Sequence, residues 1–262
     1  MSVILIGWLC SLTLAAPLVG EANAEADQEL LRQITAAQIP LEGLADELQT
    51  KVRDVLRKGQ LYTRGPIECF PCQPSVYRLL VDHPEWTIHG WRALGATRLR
   101  IERQTDGSCL GSDPLGGELR WRPIVTEHGR RAWYAEGTGR PAPLMPLMTV
   151  RAVVLLKFQE VRGEDGRSGI RQRAEVFALY DGKAAEMVCK VLGMSSESVG
   201  KKILEQIGLF FSGMAWYMSE NPEWSLKVLP DPPPANPNPP ELRQLRQQLQ
   251  PLVGSKRPTR PS

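Results

Sequence analysis

Cys69-Phe70-Pro71-Cys72 is the sharpest chemical signal in the chain. A C-x-x-C placed just ahead of a helix start, here Gln73-Pro74-Ser75, lets the helix N-terminus lower the pKa of the first thiol and arm it for disulfide exchange. The same pair reads equally as a structural disulfide or as two inert thiols. Zinc would need four ligands, and no second C-x-x-C or histidine pair supplies the remaining two. His83, His89 and His128 are the only histidines. His83-Pro84 and His89-Gly90 read as loop positions and His128 as a turn residue beside Glu127. No Ser or Cys is set recognisably against them as a nucleophile. Asp113 and Glu118 flank a Gly116-Gly117 turn and Glu136 ends a strand. Carboxylates so placed could do acid–base work, but turn formation and solvation explain them at lower cost. Gly116-Gly117 and the turn Gly163–Gly169 lack the strand–loop–helix context of a phosphate loop. The reading leans away from an enzyme: no catalytic residue, metal ligand or cofactor is assigned.

The chain that must position these groups has 262 residues, enough for one good-sized domain with its own core. A formal net charge of +3 is too small to point to nucleic acid. Residues 1–24 read as a secretory signal. An apolar run from Val3 to Val19 leads to Ala22-Asn23-Ala24, a small-x-small cleavage pattern. The leading residues carry no Lys or Arg, so the rival is an uncleaved membrane anchor. Export, periplasmic or secreted, leaves Cys69, Cys72, Cys109 and Cys189 able to form up to two bridges in three connectivities.

Residues 25–59 are expected as an N-terminal helical segment, best over Leu41–Arg57, where Leu44, Leu48 and Val52 share a face. A short strand over residues 60–70, irregular at Gly65-Pro66, precedes a helix that stops before His83-Pro84. From Trp86 to Tyr180 the period changes from 3.6 to 2. Thr97, Leu99 and Ile101 alternate with Arg98 and Arg100. The two best strands run from Met148 and from Ile170, and such alternation predicts an antiparallel sheet with one solvated face. Asp181 opens a short helix, Gly193–Ser195 breaks it, and a long helix follows to about Ser219. Val199, Ile203, Ile207, Phe210, Met214 and Met218 form its apolar stripe. Gly208 and Gly213 each cost about 1 kcal/mol against Ala in a helix, which points to close approach of a neighbour. Residues 225–262 are expected as a proline-rich, basic, disordered tail, because LPDPPPANPNPP can neither pair as a strand nor continue a helix, with a short helix open to Glu241–Leu249 within it. The fold class is therefore α+β, with six or seven antiparallel strands packed on a long C-terminal helix.

Over residues 60–222 this order of elements resembles the helix-grip superfamily, the fold of START lipid-transfer domains and polyketide cyclases. Locally, Cys69–Cys72 resembles the thioredoxin-type motif. The helix-grip resemblance implies a curved sheet wrapped round the last helix with an apolar ligand, lipid-like, between them. The expected lining is Trp121, Trp133, Val154, Phe158, Phe211 and Met214. Leu144, Met145 and Leu147, in an apolar, proline-stiffened loop, are expected as a lid with a possible membrane-surface contact. The expected function is non-catalytic binding of an apolar or amphipathic small molecule. The alternatives are an envelope interaction protein with a filled core and a thiol–disulfide oxidoreductase using Cys69 and Cys72.

Overall fold

The computed structural model describes residues 19–114, 116–139, 148–180, 196–229 and 240–253. The chain divides into two units, Met1–Ile39 and Pro40–Ser262. Among its described residues the first contains one helix, α1 (Val19–Ala37), in which Leu30 and Ile34 are exposed. The expected Ala22-Asn23-Ala24 cleavage pattern falls within it. Among the described residues no helix is long and apolar enough to cross a membrane.

The second unit is a mixed α+β fold built on an eight-stranded antiparallel sheet. It starts with helix α2 (Asp46–Lys58) and strands β1 (Leu61–Arg64) and β2 (Glu68–Pro71). Helices α3 (Pro74–Asp82) and α4 (Pro84–Ala93) follow. Then come β3 (Arg100–Arg103), β4 (Cys109–Ser112), β5 (Glu118–Glu127), β6 (Arg130–Gly139), β7 (Met148–Arg162) and β8 (Ser168–Tyr180). Helices α5 (Ser196–Glu220), α6 (Pro222–Val228) and α7 (Pro240–Leu249) close the unit. Asp106-Gly107 makes the β3–β4 turn, with Gly107 at a φ of 77°, where a side chain would be strained.

The strand order is β1-β8-β7-β6-β5-β4-β3, with β2 also on β8. Leu61–Arg64 pairs with Ala178 back to Glu175, and Glu68–Pro71 pairs with Gln172 back to Gly169. The two short strands are thus successive halves of one path along β8. Pro66 has no N–H for the ladder, so the path is interrupted there. The Gly65 N–H still donates to the Ala174 carbonyl at 2.8 Å.

Residues Trp86–Ala93 depart from the expected period of 2. They are helical because Pro84 supplies a preset first turn, and this puts His89 on a helix. The expected solvated face of the sheet is also partly covered. Val153, Leu155 and Phe177 are fully buried, and α2 packs across β7 and β8 with Val52, Val55 and Leu56 buried. The opposite face of β7 and β8, with Leu156, Phe158, Ile170 and Val176, carries the main core beneath α3 and α5. The presumed tail is a further departure: Leu242, Leu245 and Leu249 of α7 join that core. Ser75 donates to the Gln248 side chain at 2.8 Å beside them. A triplet of leucines at helical spacing outweighs the polar composition around it.

On α5 the buried residues are Leu204, Phe211, Met214, Ala215 and Met218, while Ile207 and Phe210 stay half-buried. Three glycines let this helix approach its neighbours. A Cβ on Gly200 would meet Thr63 Oγ1 at 2.1 Å, and one on Gly208 would meet the Glu68 carboxylate at 2.8 Å. On Gly213 it would touch the Trp91 ring at 3.1 Å. Trp91 also donates from Nε1 to the Phe210 carbonyl at 2.9 Å.

Gly200→Ala tests this approach. Alanine would gain about 1 kcal/mol in helix propensity, but forcing the Cβ against a buried, β-branched strand residue costs about 1–3 kcal/mol. The clash wins: the midpoint of urea unfolding should fall. An unchanged or raised midpoint would show that helix and strand are not in contact there.

Candidate functional site

A cleft of about 530 Å³ lies between the far strands of the sheet and α5. Its floor comes from β3 to β7 and its wall from Gln206, Ile207, Phe210 and Phe211 of α5. Trp133 lies parallel to Phe211, with ring centroids 6.1 Å apart. Gly111 makes room for the Trp121 ring, since a Cβ there would sit 2.9 Å from Cζ3. Leu99 remains 43% exposed although it points into this apolar cleft.

Of the expected lining, Trp121, Trp133, Val154 and Phe211 border the cleft. Phe158 and Met214 do not. Phe158 is packed edge-on against Tyr77 at 5.2 Å, with the Arg131 guanidinium 5.6 Å over its face. Met214 is fully buried and fills the space that a side chain on Gly90 of α4 would occupy. Both lie on the inward face as the period predicted, but at the tightly packed end of the sheet. Leu144, Met145 and Leu147, the expected lid, lie outside the described residues.

A second concavity of about 780 Å³ adjoins the cleft and shares Arg100, Ser112 and Asp113 with it. His89 and Arg92 of α4 form one side, and Thr97, Arg98 and Arg100 form another. Two bidentate arginines hold this region in place. Arg103 donates from Nε and Nη2 to the two carboxylate oxygens of Glu85, at 2.9 and 3.1 Å, which clamps α4 to β3. Arg131, almost wholly buried, holds Asp82 at 2.6 and 3.0 Å and ties β6 to the end of α3. Burial alone would raise the pKa of Glu85. Its hydrogen bonds with His83 and Arg103 outweigh that and hold it below its ordinary value.

The other chemical candidates are engaged structurally. Asp113 accepts from the Gly117 N–H at 3.0 Å, closing the β4–β5 turn. Glu136 accepts from Lys51 at 3.2 Å and from the Tyr134 hydroxyl at 3.0 Å. His83 stacks on Trp86 at 3.9 Å, and His128 is exposed in the β5–β6 turn. Cys69, Cys72 and Cys109 are free thiols. Cys69 is exposed inside β2, five residues before Pro74 opens α3, so the helix-terminus position expected for it is absent. Burial pushes the Cys72 thiol up to about 12.

No protein-family model and no curated protein matches this chain. Among solved structures it is similar to a conserved protein from Geobacillus kaustophilus, at 14% identity over 59% of this chain and 93% of that one, with a TM-score of 0.39. A hypothetical protein from Helicobacter pylori shares 10% identity over 62% of this chain and 89% of that one, with a TM-score of 0.36. A Bacillus cereus protein shares 16% over 57% and 96%, with a TM-score of 0.31. Likeness at these values assigns neither a family nor an activity.

Two outcomes follow from the geometry. Because Glu85 has a depressed folded-state pKa, its contribution is present above its unfolded value of 4.5 and is lost as pH falls through the folded value. Arg103→Ala should therefore lower stability near neutrality, and the gap from wild type in chemical unfolding should close in acid; a pH-independent gap would refute the clamp. Native-state alkylation near pH 8, mapped by peptide mass, should modify Cys69 well before Cys72. Equal rates would contradict the burial of Cys72.

Proposed function

We propose that the protein binds an apolar or amphipathic small molecule, lipid-like in class, in the cleft between the far strands of the sheet and helix α5, without chemistry of its own. The observation that carries this reading is the cleft itself. Its volume of about 530 Å³ falls within the roughly 300–1,000 Å³ typical of small-molecule sites, and aromatic and aliphatic side chains form most of its walls. Ile207, Phe210, Trp133 and Val154 are only half-buried around it, and an occupant would cover them. The open space beside Phe211 favours binding over the filled core of a purely structural protein.

The topology supports a helix-grip assignment. If β1 and β2 count as one interrupted strand, the first strand pairs with the last, and the others follow as a meander away from it. Two helices intervene after the first strand, and the long helix comes after the last. That arrangement is the one expected of a sheet gripping its C-terminal helix.

The test is uptake from a mixture of natural phospholipids and long-chain fatty acids, followed by native mass spectrometry. A stoichiometric adduct is expected, and Val154→Trp, which fills the cleft from β7, should lower its yield by about tenfold or more while the circular dichroism spectrum is kept. Failure of the wild-type protein to take up any apolar molecule would leave the packed-core interaction protein as the better reading.

A further inference from the structure

We propose that the recess beside the cleft receives an anionic head group, carboxylate or phosphate, so that the ligand is an anionic amphiphile whose apolar part lies in the cleft. This deepens the binding function proposed above and rests on it.

The argument starts from charge. Most of the arginines near this end of the sheet are already paired. Arg103 is held by Glu85, Arg131 by Asp82 and Arg130 by Glu127. Arg120 and Arg122 both reach Asp106, at 3.7 and 3.2 Å. Arg92, Arg98 and Arg100 differ. They line one concavity, and none of them has an ion pair or a side-chain hydrogen bond among the described residues. Asp113 is the one carboxylate in the recess lining, and it also caps the Gly117 N–H. Three guanidiniums against one carboxylate leave the recess positive, and a concave wall concentrates that field. His89, Thr97 and Ser112 add polar groups around the same space.

The second part of the argument is placement. Arg98, Leu99 and Arg100 run into β3 in succession. Leu99 lines the apolar cleft, Arg98 lines the recess, and Arg100 borders both. The boundary between apolar and cationic surface therefore falls across a single strand start. A molecule with a carboxylate or phosphate at one end of an alkyl chain matches both halves at once. Arginine suits such a head group because its fork of donors fits carboxylate and phosphate oxygens.

The experiment compares four tetradecyl compounds by isothermal titration calorimetry at low salt: myristate, tetradecyl phosphate, tetradecanol and tetradecyltrimethylammonium. Inorganic phosphate alone is the fifth probe. Wild type is set beside Arg100→Gln and the triple variant Arg92→Gln/Arg98→Gln/Arg100→Gln, all at exposed positions, with folding checked by circular dichroism. The anions should bind roughly ten- to a hundredfold more tightly than the alcohol. Added salt should shrink that ratio. The triple variant should bring that ratio to near one, and Arg100→Gln should lower it in part; because Arg100 also borders the cleft, the ratio and not the absolute affinity is the readout. An anion-to-alcohol ratio near one in wild type, or a ratio untouched in the triple variant, would overturn the head-group assignment while the cleft reading stands. Inorganic phosphate binding as tightly as tetradecyl phosphate would also overturn it, by showing a free-anion site. No binding of any tetradecyl compound would instead remove the cleft reading on which the assignment rests.

Discussion

The structure depends on how closely the last helix can approach one edge of the sheet. Gly200, Gly208 and Gly213 leave no side chain where Thr63, Glu68 and Trp91 press against α5. The helix is thereby held down on β1, β2 and β8 and on α4. Its buried face there, Leu204, Phe211, Met214 and Met218, completes a core with Tyr77, Leu156 and Ile170. Over the other edge of the sheet the helix leaves open space. That space, over β3 to β7, is the cleft. Core and cleft are two results of one constraint, which is why a single apolar helix is fully buried on one side and half-buried on another.

Burying that edge requires partners for its polar groups, and the sequence provides them in linked sets. Tyr77 donates to Gln172 at 2.5 Å, and Gln172 donates to Glu68 at 2.5 Å beneath α5. On the opposite face the buried Glu175 accepts from Tyr62 at 2.7 Å and from Lys157 at 3.2 Å. A polar group buried without such a partner would cost on the order of 1–3 kcal/mol. Arginine follows the same logic at the other edge. Arg103 and Arg131 are spent on holding α4 and α3 to the sheet. The arginines around the recess take no part in that fastening, so their charge faces the open volume beside the cleft.

Much of the fold was legible because it rests on local periodicity. The alternation of Met148–Phe158 and Ile170–Ala178, the turn at Asp106-Gly107 and the long helix ending near Ser219 are properties of short windows. Each survives in β7, β8, the β3–β4 turn and α5. What went astray involved competition between local signals. Pro84 stops α3 at Asp82 as expected, but it also opens α4 where an alternating period is expected from Trp86 on. The prolines after Leu229 pointed to disorder, yet Leu242, Leu245 and Leu249 beyond them dock in the core. Cys69 does fall in the strand expected over residues 60–70, but its pairing with Arg171 of β8, about a hundred residues away in the chain, is not a local signal.

By itself the amino-acid sequence determined the α+β class of the fold, much of the order of its elements and the shared face of Val154 and Phe158, since each follows from a period of 2 or 3.6. Parity could not separate Val154, at the cleft, from Phe158, in the packed core, because both point to the same side of β7. Only the tertiary structure decided that, through the distance between helix and sheet, which is small where glycines permit contact and large where the strands diverge. It also decided which arginines find carboxylates and which do not. Ion pairing depends on residues far apart in the chain, such as Arg131 and Asp82, and no local pattern encodes that meeting.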